Sequence, residues 1–135
     1  MVWKFTNDRP IYAQIVEQIQ LGIVSGSFLP GAAMPSVRVL AVEAEVNPNT
    51  MQKALAELET QGLLHTQRTA GRTVTEDEQM IIRLREKLAE DYIIQFFTGM
   101  QSLGIGRTEA ITMLSGITIP DRTPDTESSI TREVN

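Results

Sequence analysis

The chain has no cysteine and only one histidine, His65, among its 135 residues. Disulfides and thiolate metal sites are thereby excluded, and a reducing interior is compatible with the composition. A transition-metal site would have to rest on carboxylates, which rarely hold such ions strongly by themselves. Aromatic residues are scarce as well: one tryptophan, two tyrosines and four phenylalanines. No apolar run approaches the roughly 18–20 residues needed to span a bilayer. The opening MVWKFTNDRPIY has no uninterrupted apolar stretch of the secretory type. A soluble, cytoplasmic chain with no membrane partner is expected.

Catalytic constellations are missing too. The glycines sit at turns and form no strand-to-helix phosphate loop. Glu43 and Glu45 are two apart and share no helical face, while Glu86, Glu90 and Asp91 read as a solvated one. Neither an enzyme nor a cofactor is expected. Net charge is −5, but residues 1–75 balance six basic groups (Lys4, Arg9, Arg38, Lys53, Arg68, Arg72) against six acidic ones. Residues 76–135 carry six basic and eleven acidic groups, so the whole acid excess lies there. A neutral first part attracts a polyanion only if its cations gather on one face, because non-specific affinity scales with the phosphates neutralised.

What is present is helical spacing. Ile11, Ile15, Ile19 and Ile23 stand four apart, which predicts a helix over Pro10–Ser25 with proline in its first turn. SGSFLPG then reads as a turn. Pro35-Ser36 opens a short helix from Val37 to about Glu45, with Val37, Leu40, Ala41 and Ala44 inward. Asn47 is an N-cap candidate with Pro48 at the first helical position. Met51, Ala54, Leu55 and Leu58 form the buried stripe of this third helix, leaving Asn49, Thr50, Gln52 and Lys53 on its exposed front. Gly62 marks its end. Two strands follow, Leu63 onward and Arg72–Thr75, turning at Ala70-Gly71. Three helices and a hairpin within about 65 residues make a winged helix-turn-helix, the expected domain over 1–75.

A second stripe follows: Ile81, Leu84, Leu88, Tyr92, Phe96 and Met100 step by three and four along a helix from about Glu76 to Gln101. Gly99, Gly104 and Gly106 bracket a break before a short helix, Arg107 to about Leu114, with Ala110, Ile111 and Leu114 inward. The fold class is thus α+β, a winged helix-turn-helix followed by a small all-helical hairpin over 76–119. The hairpin has too little chain to cover the long stripe, so its six residues are expected at a homodimer interface. Residues 120–135 are polar, carry two prolines and read as a flexible tail.

In combination, several short motifs resemble the N-terminal DNA-binding domain of the GntR family of bacterial transcription regulators. They are Pro10-Ile11-Tyr12, Pro30-Gly31, Pro35-Ser36-Val37-Arg38, Asn47-Pro48-Asn49-Thr50 and Leu58-Glu59-x-x-Gly62-Leu63. The resemblance spans Pro10–Val74, and the region beyond the wing is similar to that of the YtrA-like subgroup. It implies double-stranded operator DNA as partner. Arg38 would touch the backbone or reach toward a base, Asn47, Asn49, Thr50 and Lys53 would lie in or beside the major groove, and Arg68, Gly71 and Arg72 would enter or line the minor groove. Pro48 and Gln52 stand where many members carry arginine, Ala70 replaces a wing glycine or basic residue, and Val39 is unusually apolar for its place. Gln52 can still read adenine through its amide.

The leading expectation is a homodimeric repressor on a palindromic operator, with any small-molecule effector unidentified. The alternative is a winged-helix protein-interaction module that has lost specific DNA binding, favoured by the neutral charge and the missing arginines.

Overall fold

The computed structural model of the protein describes residues 1–120; the polar tail expected over 120–135 lies outside them except for Pro120. The elements are α1 (Ile11–Ser25), α2 (Val37–Ala44), α3 (Pro48–Thr60), β1 (Leu64–Gln67), β2 (Gly71–Val74), α4 (Glu78–Ser102) and α5 (Arg107–Gly116). This is the expected α+β winged helix-turn-helix with a helical C-terminal region. Two compact units divide inside α4, one of residues 1–90 and one from Asp91 onward.

In the first unit Ile15, Ile19 and Ile23 of α1 meet Leu40 and Ala41 of α2, Met51, Leu55 and Leu58 of α3, and Leu64 and Val74 of the hairpin in one buried cluster. A Cβ at Gly22 would lie 2.7 Å from the Phe28 ring, so the ring holds its place only over glycine. An N-terminal arm, absent from the sequence reading, lies along α1. The Gln14 amide accepts from Thr6 N at 2.8 Å and donates to the carbonyls of Thr6 and Arg9. Gln18 likewise accepts from Lys4 N and donates to Lys4 O at 2.7 Å. Two amides thus imitate a strand ladder, and buried Gln14 is fully compensated. Trp3 stacks on Phe5 in this arm.

Ser36 caps α2, its hydroxyl accepting from Val39 N. The turn into α3 passes through Glu45, the one described non-glycine residue with positive φ (56°). Glu45 and Val46 N–H groups both donate back to the last carbonyls of α2, which tightens the corner.

In the wing, β1 and β2 are antiparallel, with Leu64 opposite Val74 and Thr66 opposite Arg72. The other edge of β2 is also paired: Gly31 N donates to Val74 O, Val74 N to Ala32 O and Met34 N to Arg72 O. The end of the connection after α1 therefore serves as a third, bridge-length strand, where a plain turn was expected.

Asp77 caps α4 by accepting from Met80 N. Met80, Ile81 and Leu84 pack on the core of the first unit, extending it beyond residue 75. In the second unit Phe96 meets Phe97 edge-on at 5.2 Å, and Arg107 lies over the Phe97 ring. Of the α5 residues expected inward, only Ala110 is buried; Ile111 and Leu114 are 45% and 46% exposed. Apolar residues surround this short helix on more than one side, so no single stripe marks an inner face.

Candidate nucleic-acid interface

The site begins at the front of α3. Asn47 Oδ1 accepts from Asn49 N at 2.7 Å, and Pro48 needs no partner for a donor it lacks. Met51, Ala54, Leu55 and Leu58 fix the back of the helix in the core. Asn49, Gln52 and Lys53 consequently face solvent, and Thr50 is half-buried. Asn47 gives one lone pair of its oxygen to the cap, and its NH₂ supplies the donors for a ligand. Lys53 Nζ sits 3.8 Å from the Tyr12 ring centroid, so α1 helps to place this cation. Tyr12 belongs to the Pro10-Ile11-Tyr12 motif, and its separation of 41 positions from Lys53 leaves no local trace of the pairing.

Arg38 is exposed in the first turn of α2 and forms no salt bridge among the described residues. Gln52, Gly71 and Arg72 come together with Ser36, Val37 and Thr66 around a cleft of about 430 Å³ between α2, α3 and the wing. Arg38, Asn49, Lys53 and Arg68 are not in its lining. Arg68 is exposed at the hairpin turn. Gly71 has φ 70°, and a Cβ there would meet nothing within 4 Å, so its backbone conformation rather than internal crowding calls for glycine.

Arg72 is held within the chain by an acid of the recognition helix. Its Nε donates to Glu59 Oε1 of α3, and its side chain is only 18% exposed. Thr66 Oγ1 donates to the other oxygen of Glu59 at 2.9 Å. The Arg72 hydrogen bond, helped by that of Thr66, holds the Glu59 carboxyl below the usual range against the opposing effect of desolvation. Glu59 lay inside the motif before the wing, but nothing local joined it to a residue thirteen positions on.

The stripe expected at a dimer interface is used unevenly. Ile81 and Leu84 are partly buried against the first unit's core, and Leu88 is half-buried. In the second unit Phe96 and Met100 are half-buried, while Tyr92, Ile93 and Ile94 are 57%, 54% and 62% exposed. No described helix is long and apolar enough to cross a membrane.

A family model described as bacterial regulatory proteins, gntR family, matches residues 11–74. The chain is 37% identical to an uncharacterized HTH-type transcriptional regulator, YhcF, of Bacillus subtilis, over 84% of this chain and 92% of that one. It is 35% identical to the HTH-type transcriptional repressor YtrA of the same organism, covering 68% and 75%. A solved GntR family transcriptional regulator from Listeria monocytogenes superposes with a TM-score of 0.76 at 38% identity, over 84% of this chain and all of that one.

Proposed function

Because the chain belongs to the gntR family of bacterial regulatory proteins and is a helix-turn-helix transcription regulator, we propose that it acts as a homodimeric repressor of the YtrA-like subgroup. The observation that carries this reading is the split character of α3. Its back is locked into the core, and its N-terminal front offers Asn49, Gln52 and Lys53 to solvent. A helix so held can enter a major groove without losing its packing. Gln52 then reads a base edge, with Asn49 and Thr50 beside it. Arg38, Asn47 and Lys53 hold the backbone, and Arg68, Gly71 and Arg72 bring the wing to the minor groove.

A second copy covers Tyr92, Phe96 and Met100, with Leu88 and the outer edges of Ile81 and Leu84 at the margin. Two reading heads related by a two-fold axis suit a palindromic operator. The resemblance to a named repressor supports negative regulation. The reading that competes is a winged-helix module for protein partners, favoured by the neutral charge of residues 1–75 and by the engagement of Arg72 with Glu59.

One experiment separates them. Sedimentation at micromolar concentration, followed by selection from a random-sequence DNA pool, is expected to give a dimer that enriches a palindrome. A folded dimer that enriches no sequence at low or moderate salt would favour the protein-interaction module.

A further inference from the structure

We propose that Glu59 is a positioning residue for DNA binding, whose carboxylate locks the wing to the recognition helix and presents Arg72 to the duplex. This rests on the DNA-binding reading above. Electrostatics alone argue for the opposite, since a carboxylate near phosphates repels them and the first unit has no cation to spare. The geometry explains why such a charge is kept.

Thr66 and Arg72 are directly opposite each other in the β1–β2 register. Cross-strand partners project from the same face of a hairpin, and both side chains here reach Glu59. A single carboxylate from the last turn of α3 therefore grips both strands of the wing, one with each oxygen. That grip adds to the shared core in setting the angle between recognition helix and wing. Arg72 spends only its Nε on Glu59; no other hydrogen bond of its guanidinium is seen among the described residues. Its two terminal amino groups carry four further donors and belong to a side chain lining the cleft with Ser36 and Gln52. The pairing orders the planar guanidinium before DNA arrives, so less rotamer freedom is lost on contact.

A merely stabilising ion pair and a positioning role differ in the sign of their effect on DNA. The test uses the full chain, a duplex that the wild-type protein selects from a random-sequence pool, and an unselected duplex. Glu59→Gln is expected to weaken binding to the selected duplex about tenfold, the scale of one charge-assisted hydrogen bond. Binding to the unselected duplex stays equal or tightens, because a negative charge has gone. In an Arg72→Ala background Glu59→Gln causes no further loss on the selected duplex. The Arg72 Nε–H resonance, slow to exchange in the free wild-type protein, loses its protection in the Glu59→Gln variant. Thr66→Val keeps the charge and removes one bond, giving a loss of about threefold in the same direction; it also serves if Glu59→Gln does not fold.

Tighter binding of Glu59→Gln to both duplexes, additive losses with Arg72→Ala, or an unprotected Arg72 Nε–H in the wild type would each overturn the proposal. Equal binding of the selected duplex by wild type and Glu59→Gln overturns it while leaving DNA binding intact. A wild-type chain that selects no duplex overturns the DNA-binding reading itself, and this proposal with it.

Discussion

The unit of residues 1–90 and the unit from Asp91 onward use aliphatic side chains in opposite ways. In the first, isoleucines, leucines and methionines from three helices and a hairpin close into one buried cluster. In the second, Ala110 alone is buried among the described residues, while Tyr92, Ile93, Ile94, Ile111 and Leu114 remain exposed. The 25-residue α4 has no fully buried position: Met80, Ile81 and Leu84 rest on the first unit's core, and none of its residues past Glu90 is buried. The first unit thus has the means to fold by itself, and the second presents apolar surface that calls for a cover.

The sharpest way to break this contrast is Phe96→Asp. It is expected to yield a monomer by sedimentation and to lower affinity for a selected palindrome about 10²–10⁴-fold, the range lost with a second linked reading head. The unfolding transition of the first unit should stay in place; unchanged DNA affinity in a proven monomer would show that pairing is dispensable. Next in size is Leu58→Ala, which empties a fully buried site and should cost about 2–5 kcal/mol in urea unfolding. Ile94→Ala, at a position 62% exposed, should cost far less in dilute protein, and an equal loss at both sites would erase the distinction between the units.

On the reading face, Gln52→Ala should relax discrimination at one base position by about 1–3 kcal/mol with little change on random DNA. A uniform loss over all sequences would move Gln52 to the backbone. The smallest expected effect is one of pH. Glu59 titrates below the usual carboxylate range in the folded chain, so its contribution is complete at neutral pH. That contribution is lost as pH falls below the usual range and through the folded value. Amide exchange in β1 and β2, corrected for intrinsic rates, should accelerate in that acid window in the wild type and be less responsive in Glu59→Gln.

The helices of the first unit were legible because periodicity is local. The isoleucines of α1, the cap at Asn47 and the stripe from Met51 to Leu58 each declare a face within a few turns. The features that escaped are pairings across the chain. Ala32 and Met34 complete the wing sheet only because β2 offers them an edge forty positions later. Gln14 and Gln18 look like ordinary surface amides until the arm lies beside them. Glu59 and Arg72 follow the same rule, and so does the partial use of Ile81 and Leu84 inside their own unit. The α5 face failed for a different reason: Ile111, Met113 and Leu114 point to several sides of a ten-residue helix, so pattern alone selects none.

The docked arm has a practical optical meaning. Trp3 is the only tryptophan in the sequence, and it stacks on Phe5 beside the segment held by the Gln14 and Gln18 amides. Both rings also pack against the first unit's core, so intrinsic indole emission is a gauge of the seam between the arm and that core. A terminal segment held by amide bonds and two half-buried rings opens at lower free energy than the isoleucine core beneath it. Emission should therefore change at lower denaturant than the far-ultraviolet dichroism of the helices, and Gln14→Ala should widen the gap between the two curves. Non-coincident transitions by these probes would report a peeling arm, not a folding intermediate of the reading head.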